Sequence, residues 1–243
     1  MKIYAYNKVG DRVETLERHI TSGLYYMQEI YLKNMYHKHV AKRLNICEED
    51  SINLLKIAYM LHDIGKAYDP FQTRIAEGYG APGHEVLSSY IVIEHCRLMD
   101  VNIIRAMALA ILLHHHAMRT LDEAFIKFCN TEYFTLPPER AEWLRRIIYV
   151  DILNALPSSL VSREVVNALE RELYRLITPK SLEGLGYAYA ATYLILHPLM
   201  VCDNLSAYTA GFEEAVRVGD LDFSRLRSWV REFLLSVATY LYG

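Results

Sequence analysis

Residues Lys56–Pro70 read KIAYMLHDIGKAYDP, and this stretch sets the architecture of the chain. Counting from Ile52, the apolar Leu55 and Tyr59 fall on one face of a helix. His62, Asp63 and Lys66 continue that face ten, eleven and fourteen residues on. A helix over 48–63 therefore carries an imidazole and a carboxylate at its buried end, where Gly65 ends or distorts it. Such a pair can share one metal ion or bridge two, since a carboxylate has two oxygens. An isolated His-Asp pair more often marks a solvated helix end, so the remaining residues decide between the two.

A second stretch, Ala108–Arg119, reads ALAILLHHHAMR. Ile104, Met107, Ala108, Ile111 and Met118 define one face of its helix. At about 100° per residue, His115 lies about 20° from the centre of that face, His114 about 80° and His116 about 120°. His114 and His115 are the favoured inward pair, although a helix apolar almost all round also admits His115 with His116. Burying adjacent imidazoles is costly unless each nitrogen has a partner, and a metal ion supplies one. A surface histidine run does not fit three histidines set mid-chain in so apolar a helix.

Working outward, helical periodicity predicts further helices near 16–44, 84–98, 101–118, 121–130, 138–155, 162–177, 186–215 and 222–241. Pro137–Pro138 suits one helix start, because a first-turn proline loses no helical bond. Ser162, with a carboxylate two residues on, suits another. Ala67–Gly83 and Pro179–Gly186 read as loops. KIYAY and RVETL alternate on either side of a turn glycine, which leaves room for a short N-terminal β-hairpin. The fold class is all-α, a helical bundle with that small hairpin, and no linker divides 1–243 into more than one domain.

With 243 residues, 52% of them hydrophobic, the chain can bury a sizeable core and is not disordered. A net charge of -3 gives no global positive field, so any nucleic-acid contact must come from a local patch. No apolar run reaches the roughly 18 residues of a membrane span, and the N-terminus lacks the apolar stretch of a secretory signal. Cys47, Cys96, Cys129 and Cys202 lie far apart without a CxxC pair. The expectation is a cytoplasmic protein with neither a thiol zinc site nor a membrane partner.

Three further positions matter through their order. His19 in TLERHITSGLYY lies in the first long helix, His84 in APGHEVLSSY opens a helix after a loop, and Asp203 in LMVCDNLSAY sits inside an apolar helix. An unpaired carboxylate there would be expensive. Each alone is more often structural than ligating. Together they give His19, His62–Asp63, His84, His114–His115 and Asp203, the order H…HD…H…HH…D. This order resembles the HD superfamily of metal-dependent phosphohydrolases. The HD followed by Ile-Gly-Lys, with the His-Glu and His-His segments, is similar to the CRISPR-associated HD nucleases, the nuclease part of the type I interference nuclease-helicase. The opening with TLERH is similar to stand-alone archaeal-type versions. The resemblance spans about Lys2 to Tyr208.

The resemblance implies two divalent metal ions on a helical core, with Asp63 bridging them. His19, His62 and Asp203 would complete one site, and His84, His114 and His115 the other. Asp63 and Lys66 would be the catalytic pair, Lys66 offsetting charge on the phosphate oxygens. Imidazole and carboxylate ligands favour Mn, Fe, Co or Ni over Mg. Two departures leave alternatives open. A third histidine and Ala117 stand where the family commonly has glycine, so the pair is 114/115 or 115/116. Asp151 in RIIYVDILNALP competes with Asp203, which is preferred because CDNLSA resembles the family's Asp-x-Leu-x-Ala segment.

The implied activity is phosphodiester cleavage of single-stranded DNA, with RNA also admitted, in CRISPR interference. No GxxxxGK[ST] segment is present, so the helicase would be a separate subunit beside a CRISPR effector complex. Lys42–Arg43, Arg119, Arg140 and Arg145–Arg146 are candidates to track a strand, and Tyr133, Phe134 and Trp143 to stack on bases. Solvated helix faces and core packing are the ordinary uses of such residues. Two rival readings are a nucleotide or cyclic-dinucleotide phosphohydrolase, and a binding module without catalysis. A nucleotidase needs a closed pocket and a nuclease an open groove, with the 67–83 and 121–137 segments forming either wall.

Overall fold

Thr15 ends a strand and starts a helix in one residue: its side chain accepts a hydrogen bond from the main-chain nitrogen of Arg18 (3.3 Å). The computed structural model describes residues 2–8, 12–96, 100–115, 120–148, 156–177 and 182–209. Strands β1 (Tyr4–Lys8) and β2 (Arg12–Thr15) form the antiparallel N-terminal hairpin, and α1 (Leu16–Tyr26) follows directly. Helix α1 runs on as a π-helical stretch over Met27–Leu32. The expected single helix over 16–44 is then broken, because Met35 takes a left-handed conformation (φ 61°) before α2 (Tyr36–Leu44). Asn45, also left-handed, closes α2.

Helix α3 (Glu48–Leu61) begins under Cys47, whose sulfur accepts from Asp50 N (3.3 Å), with Glu48, Glu49 and Asp50 matching the positive end of the helix dipole. It ends at His62, and Ile64–Ala67 makes a tighter 3₁₀ turn. Part of the expected loop 67–83 is helical: Phe71 and Ile75 are buried and anchor α4 (Phe71–Ala76). Next come α5 (His84–His95), α6 (Val101–Leu113) and α7 (Leu121–Cys129), the last opened by a reciprocal cap between Thr120 and Glu123. Strand β3 (Tyr133–Thr135), α8 (Pro138–Ile147), β4 (Ser159–Val161) and α9 (Ser162–Ile177) follow. The β3–β4 pair, with Phe134 opposite Leu160, was not foreseen, since three-residue strands leave almost no periodic signal. Helix α10 (Leu182–Thr209) starts inside the expected loop 179–186 and carries Pro198 within it. The expected helix at 222–241 lies outside the described residues, as do the far ends expected for the helices at 84–98, 101–118, 138–155 and 186–215.

Helix α6 is buried almost all round and forms the axis of an all-α bundle, with α5, α9 and α10 packed on it and α1 and α3 against α10. Among the described residues no helix is long and apolar enough to cross a membrane. Two contacts position the region around Asp63. Gly65 donates its N–H to Ser88 Oγ (2.9 Å) and lies so close to α5 that a Cβ there would stand 2.4 Å from the carbonyl oxygen of His84. Gln72 fastens the hairpin beside it. Its amide accepts from Tyr4 N (2.9 Å) and donates to Tyr4 O (2.7 Å) and Lys66 O (2.8 Å).

Candidate metal centre

The ends of α3 and α6 meet the starts of α1 and α5 and the second half of α10, and each contributes side chains to one buried cluster. His62 and His114 occupy the positions where α3 and α6 stop. A helix leaves its last carbonyls without internal partners. Those carbonyls orient the rings: His62 Nδ1 donates to Tyr59 O (2.6 Å) and His114 Nδ1 to Ile111 O (2.5 Å). His84, first residue of α5, donates from Nδ1 to Ala81 O in the preceding turn (2.6 Å). In all three rings Nε2 is left facing inward. His19 differs: its Nδ1 meets Glu14 Oε2 (3.1 Å) and Ser206 Oγ (3.1 Å).

Asp63 stands at the centre and divides its two oxygens. Oδ1 lies 2.8 Å from His84 Nε2 and 4.0 Å from His114 Nε2. Oδ2 lies 3.5 Å from His19 Nε2, 3.6 Å from His62 Nε2 and 2.5 Å from Lys66 Nζ. Asp203 Oδ1 closes the same side, 3.1 Å from His19 Nε2 and 3.5 Å from His62 Nε2. Two groups result, Asp63 with His84, His114 and His115, and Asp63 with His19, His62 and Asp203; in each, the donor atoms lie within 4.8 Å of one another. The structure thus brings together all seven residues singled out as ligands, and Lys66 beside them. His116 and Asp151, the alternatives for the histidine pair and the last aspartate, lie outside the described residues.

These donors fit divalent cations. His114 Nε2 and His115 Nδ1 are buried without a hydrogen-bond partner, and the Nε2 atoms of His19, His62 and His84 face only the oxygens of Asp63 and Asp203. Each such orphan costs about 1–3 kcal/mol, so a cluster of them is tolerated only if something else engages them. Protonation states agree. Burial lowers His114 to about 3, reinforced by His62, and holds His115 well below the usual imidazole range, reinforced by His114, which leaves both as neutral donors. Burial alone would raise Asp63 and Asp203. Lys66, His62 and His84 hold Asp63 anionic, and His19 and His62 hold Asp203 so. For His19, burial works downward, but Asp203, Glu14 and Asp63 raise it to about 10. Carboxylates that stabilise a proton on His19 this firmly present the same field to a metal cation.

A cavity of about 270 Å³ opens onto the Asp203 side, lined by Ala5, Tyr6, Glu14, His19, Lys66, Asp203 and Ala207. The hairpin is therefore one wall of the site, which the reading of loops 67–83 and 121–137 as walls did not anticipate. Of the candidate strand-tracking groups, Arg140 is engaged internally, donating to Ala67 O (3.2 Å) and pairing with Asp69 (3.0 Å). Arg145 and Arg146 pair with Glu142 on their own helix, and Lys42 and Arg43 are exposed on α2. Arg119 lies outside the described residues. Phe134 is fully buried between Phe71 and Phe128, so it cannot stack on a base. Trp143 packs partly buried against the core, and Tyr133 is exposed. Sequence reasoning missed Glu14 and Ser206. Only the i, i+3 spacing of Ser206 from Asp203 hinted that the serine shares the inward face.

Residues 34–207 match the family described as HD domain. The chain belongs to the HD domain family, a family of metal-dependent hydrolases. Among solved structures it is similar to the CRISPR-associated Cas3 HD domain protein from Methanocaldococcus jannaschii, with a TM-score of 0.60 and 22% identity over 82% of this chain and 99% of that one. At that identity the likeness establishes the shared fold. No curated protein matches the chain.

Proposed function

We propose that this protein is a cytoplasmic, metal-dependent nuclease that hydrolyses phosphodiester bonds of single-stranded DNA in CRISPR interference, the chain 1–243 acting as one nuclease domain. A separate helicase subunit and a CRISPR effector complex would deliver the strand. The observation that carries the reading is the division of Asp63: one oxygen faces His84 and His114, the other His19 and His62. That is the arrangement a bridging carboxylate needs between two cations. His19, His62, Asp63 and Asp203 would hold one ion, and Asp63, His84, His114 and His115 the other. Mixed nitrogen and oxygen donors favour Mn, Fe, Co or Ni over Mg. A bound pair of such ions supplies positive charge and Lewis acidity at a phosphodiester.

The chain's own groups do the rest. Orienting bonds on Nδ1 keep Nε2 of His19, His62, His84 and His114 directed at the centre. Lys66, at the mouth of the cavity, would place its ammonium beside a non-bridging phosphate oxygen and offset charge that grows toward the transition state. Burial of the cluster keeps bulk water from screening these charges. The polymer reading is supported over a nucleotidase by the likeness to the CRISPR-associated Cas3 HD domain protein. The cavity of about 270 Å³ beside Lys66 and Asp203 would receive the phosphodiester.

The test is a side-by-side assay with Mn, using labelled single strand, blunt duplex, RNA, and a panel of mono- and dinucleotides. Single-stranded DNA is cut without sequence preference, duplex poorly, and exhaustive chelation abolishes cutting until Mn, Co or Ni is returned. Hydrolysis of a nucleotide with an untouched strand would replace this reading with the nucleotidase. Undiminished activity in excess chelator would remove the metal mechanism altogether.

A further inference from the structure

We infer that Glu14, with Ser206, is the positioning residue for His19 and governs the affinity of one metal site alone; this rests on the two-metal reading above. Three observations converge. First, His62, His84 and His114 take their orienting bonds from main-chain carbonyls at helix ends or in the preceding turn. His19 lies inside α1, where the carbonyls are committed to the helix's own ladder, so it has no such acceptor. Glu14 supplies one from the strand before: His19 Nδ1 donates to Glu14 Oε2 (3.1 Å). Secondly, Ser206 ties the pair to α10. Its hydroxyl lies 3.1 Å from the same nitrogen and 3.4 Å from the other oxygen of Glu14, and it donates to His19 O (3.0 Å).

Thirdly, strand β2 is built inside out. Glu14 is 2% exposed and its neighbour Val13 56% exposed. Successive strand residues point to opposite faces, and a one-residue shift would bury the valine and free the carboxylate. The hairpin instead holds the costlier alternation, which places a carboxylate behind the imidazole. A carboxylate there fixes the ring and its tautomer and raises the donor strength of Nε2. Its reach is to one group of ligands: His19 belongs with His62, Asp63 and Asp203, whereas the carboxylate behind His84 in the other group is Glu85, 3.4 Å from Nδ1.

The experiment is calorimetric titration of Mn into the metal-free full-length chain, with Co absorption as a second readout of ligand geometry. Wild type takes two ions. Glu14→Gln weakens one of them by roughly 10–100-fold and leaves the other unchanged. Ser206→Ala weakens the same ion less, and Val13→Ala, on the outer face of the same strand, changes neither. In a His19→Ala background, Glu14→Gln has no further effect, a non-additivity that a general loss of hairpin packing would not produce. Melting of each metal-free variant confirms that it is folded. Should Glu14→Gln not fold, Ser206→Ala and its His19→Ala combination carry the same test. Two ions bound with wild-type affinity and unaltered Co spectrum in Glu14→Gln, or in Ser206→Ala where that variant stands in, overturn the role of Glu14 while leaving the nuclease reading in place. A wild-type chain that takes up no ion overturns both.

Discussion

Replacing Gly65 by alanine tests how tightly the Asp63 turn is held against α5. The added Cβ would lie 2.4 Å from the carbonyl oxygen of His84, whereas ordinary contact begins at 3.4 Å, so about 1 Å of displacement is required. The obstacle is main chain and cannot rotate aside. Ser88 Oγ and Ser88 N, at 3.0 and 3.1 Å, close off the other directions. Overpacking of this kind costs about 1–3 kcal/mol. At roughly 2–4 °C per kcal/mol for a chain of this length, the metal-free protein should melt about 2–12 °C lower. The same shift parts Asp63 Oδ1 from His84 Nε2, now 2.8 Å apart. A misplacement of about 1 Å can cost roughly 100-fold in rate. The assay is thermal melting by circular dichroism, with Mn titration and turnover of labelled single strand. Gly186→Ala is the control: it lies within α10 with nothing within 4 Å of a new Cβ, and it should stabilise by up to about 1 kcal/mol. If Gly65→Ala melts with wild type and binds metal equally well, the close approach is not a constraint and the reasoning fails.

Asp203→Ala should lower metal occupancy and remove most activity, whereas Asp151→Ala should leave metal binding intact; elemental analysis of the purified, folded variants decides, and the reverse result relocates the last ligand. Lys66→Ala should reduce turnover at unchanged metal stoichiometry, because the proposed target of its ammonium is the phosphate. Loss of metal in that variant would mean that Lys66, 2.5 Å from Asp63, instead holds the carboxylate in place.

His62, Asp63, His114, His115 and Asp203 stand out in the sequence because they end or interrupt apolar helical runs, where an imidazole or carboxylate needs a partner, whereas His19 and His84 stood out only through their order among them. Helix starts at Ser162 and Pro138 were legible for a similar reason, since their chemistry is local. What escaped depends on contacts between distant residues. Met35 turns left-handed with neither glycine nor proline to announce it. Helix α4 sits in a Pro/Gly-rich stretch and is held by burying Phe71 and Ile75. Leu182 begins a helix that contains Gly184 and Gly186, because tertiary packing outweighs their poor propensity. Glu14 was invisible as a site residue because its role arises only when β2, α1 and α10 meet; in the sequence it is one acid among many near a chain end.

The amide of Gln72 has a consequence for association between molecules. A two-stranded ribbon offers two open rows of peptide groups, and such a row readily recruits strands from other chains. On β1 the groups of Tyr4 that would form the next rung are both taken by Gln72, which receives the N–H and returns one to the carbonyl as a neighbouring strand would. Further along, the side-chain amide of Asn7 donates to Ala76 O (3.0 Å) and ties β1 to the end of α4. Helix α4 thus serves as a blunt third strand that cannot itself be extended. Gln72→Leu would reopen that rung, and the first symptom should be concentration-dependent self-association before any loss of helical content.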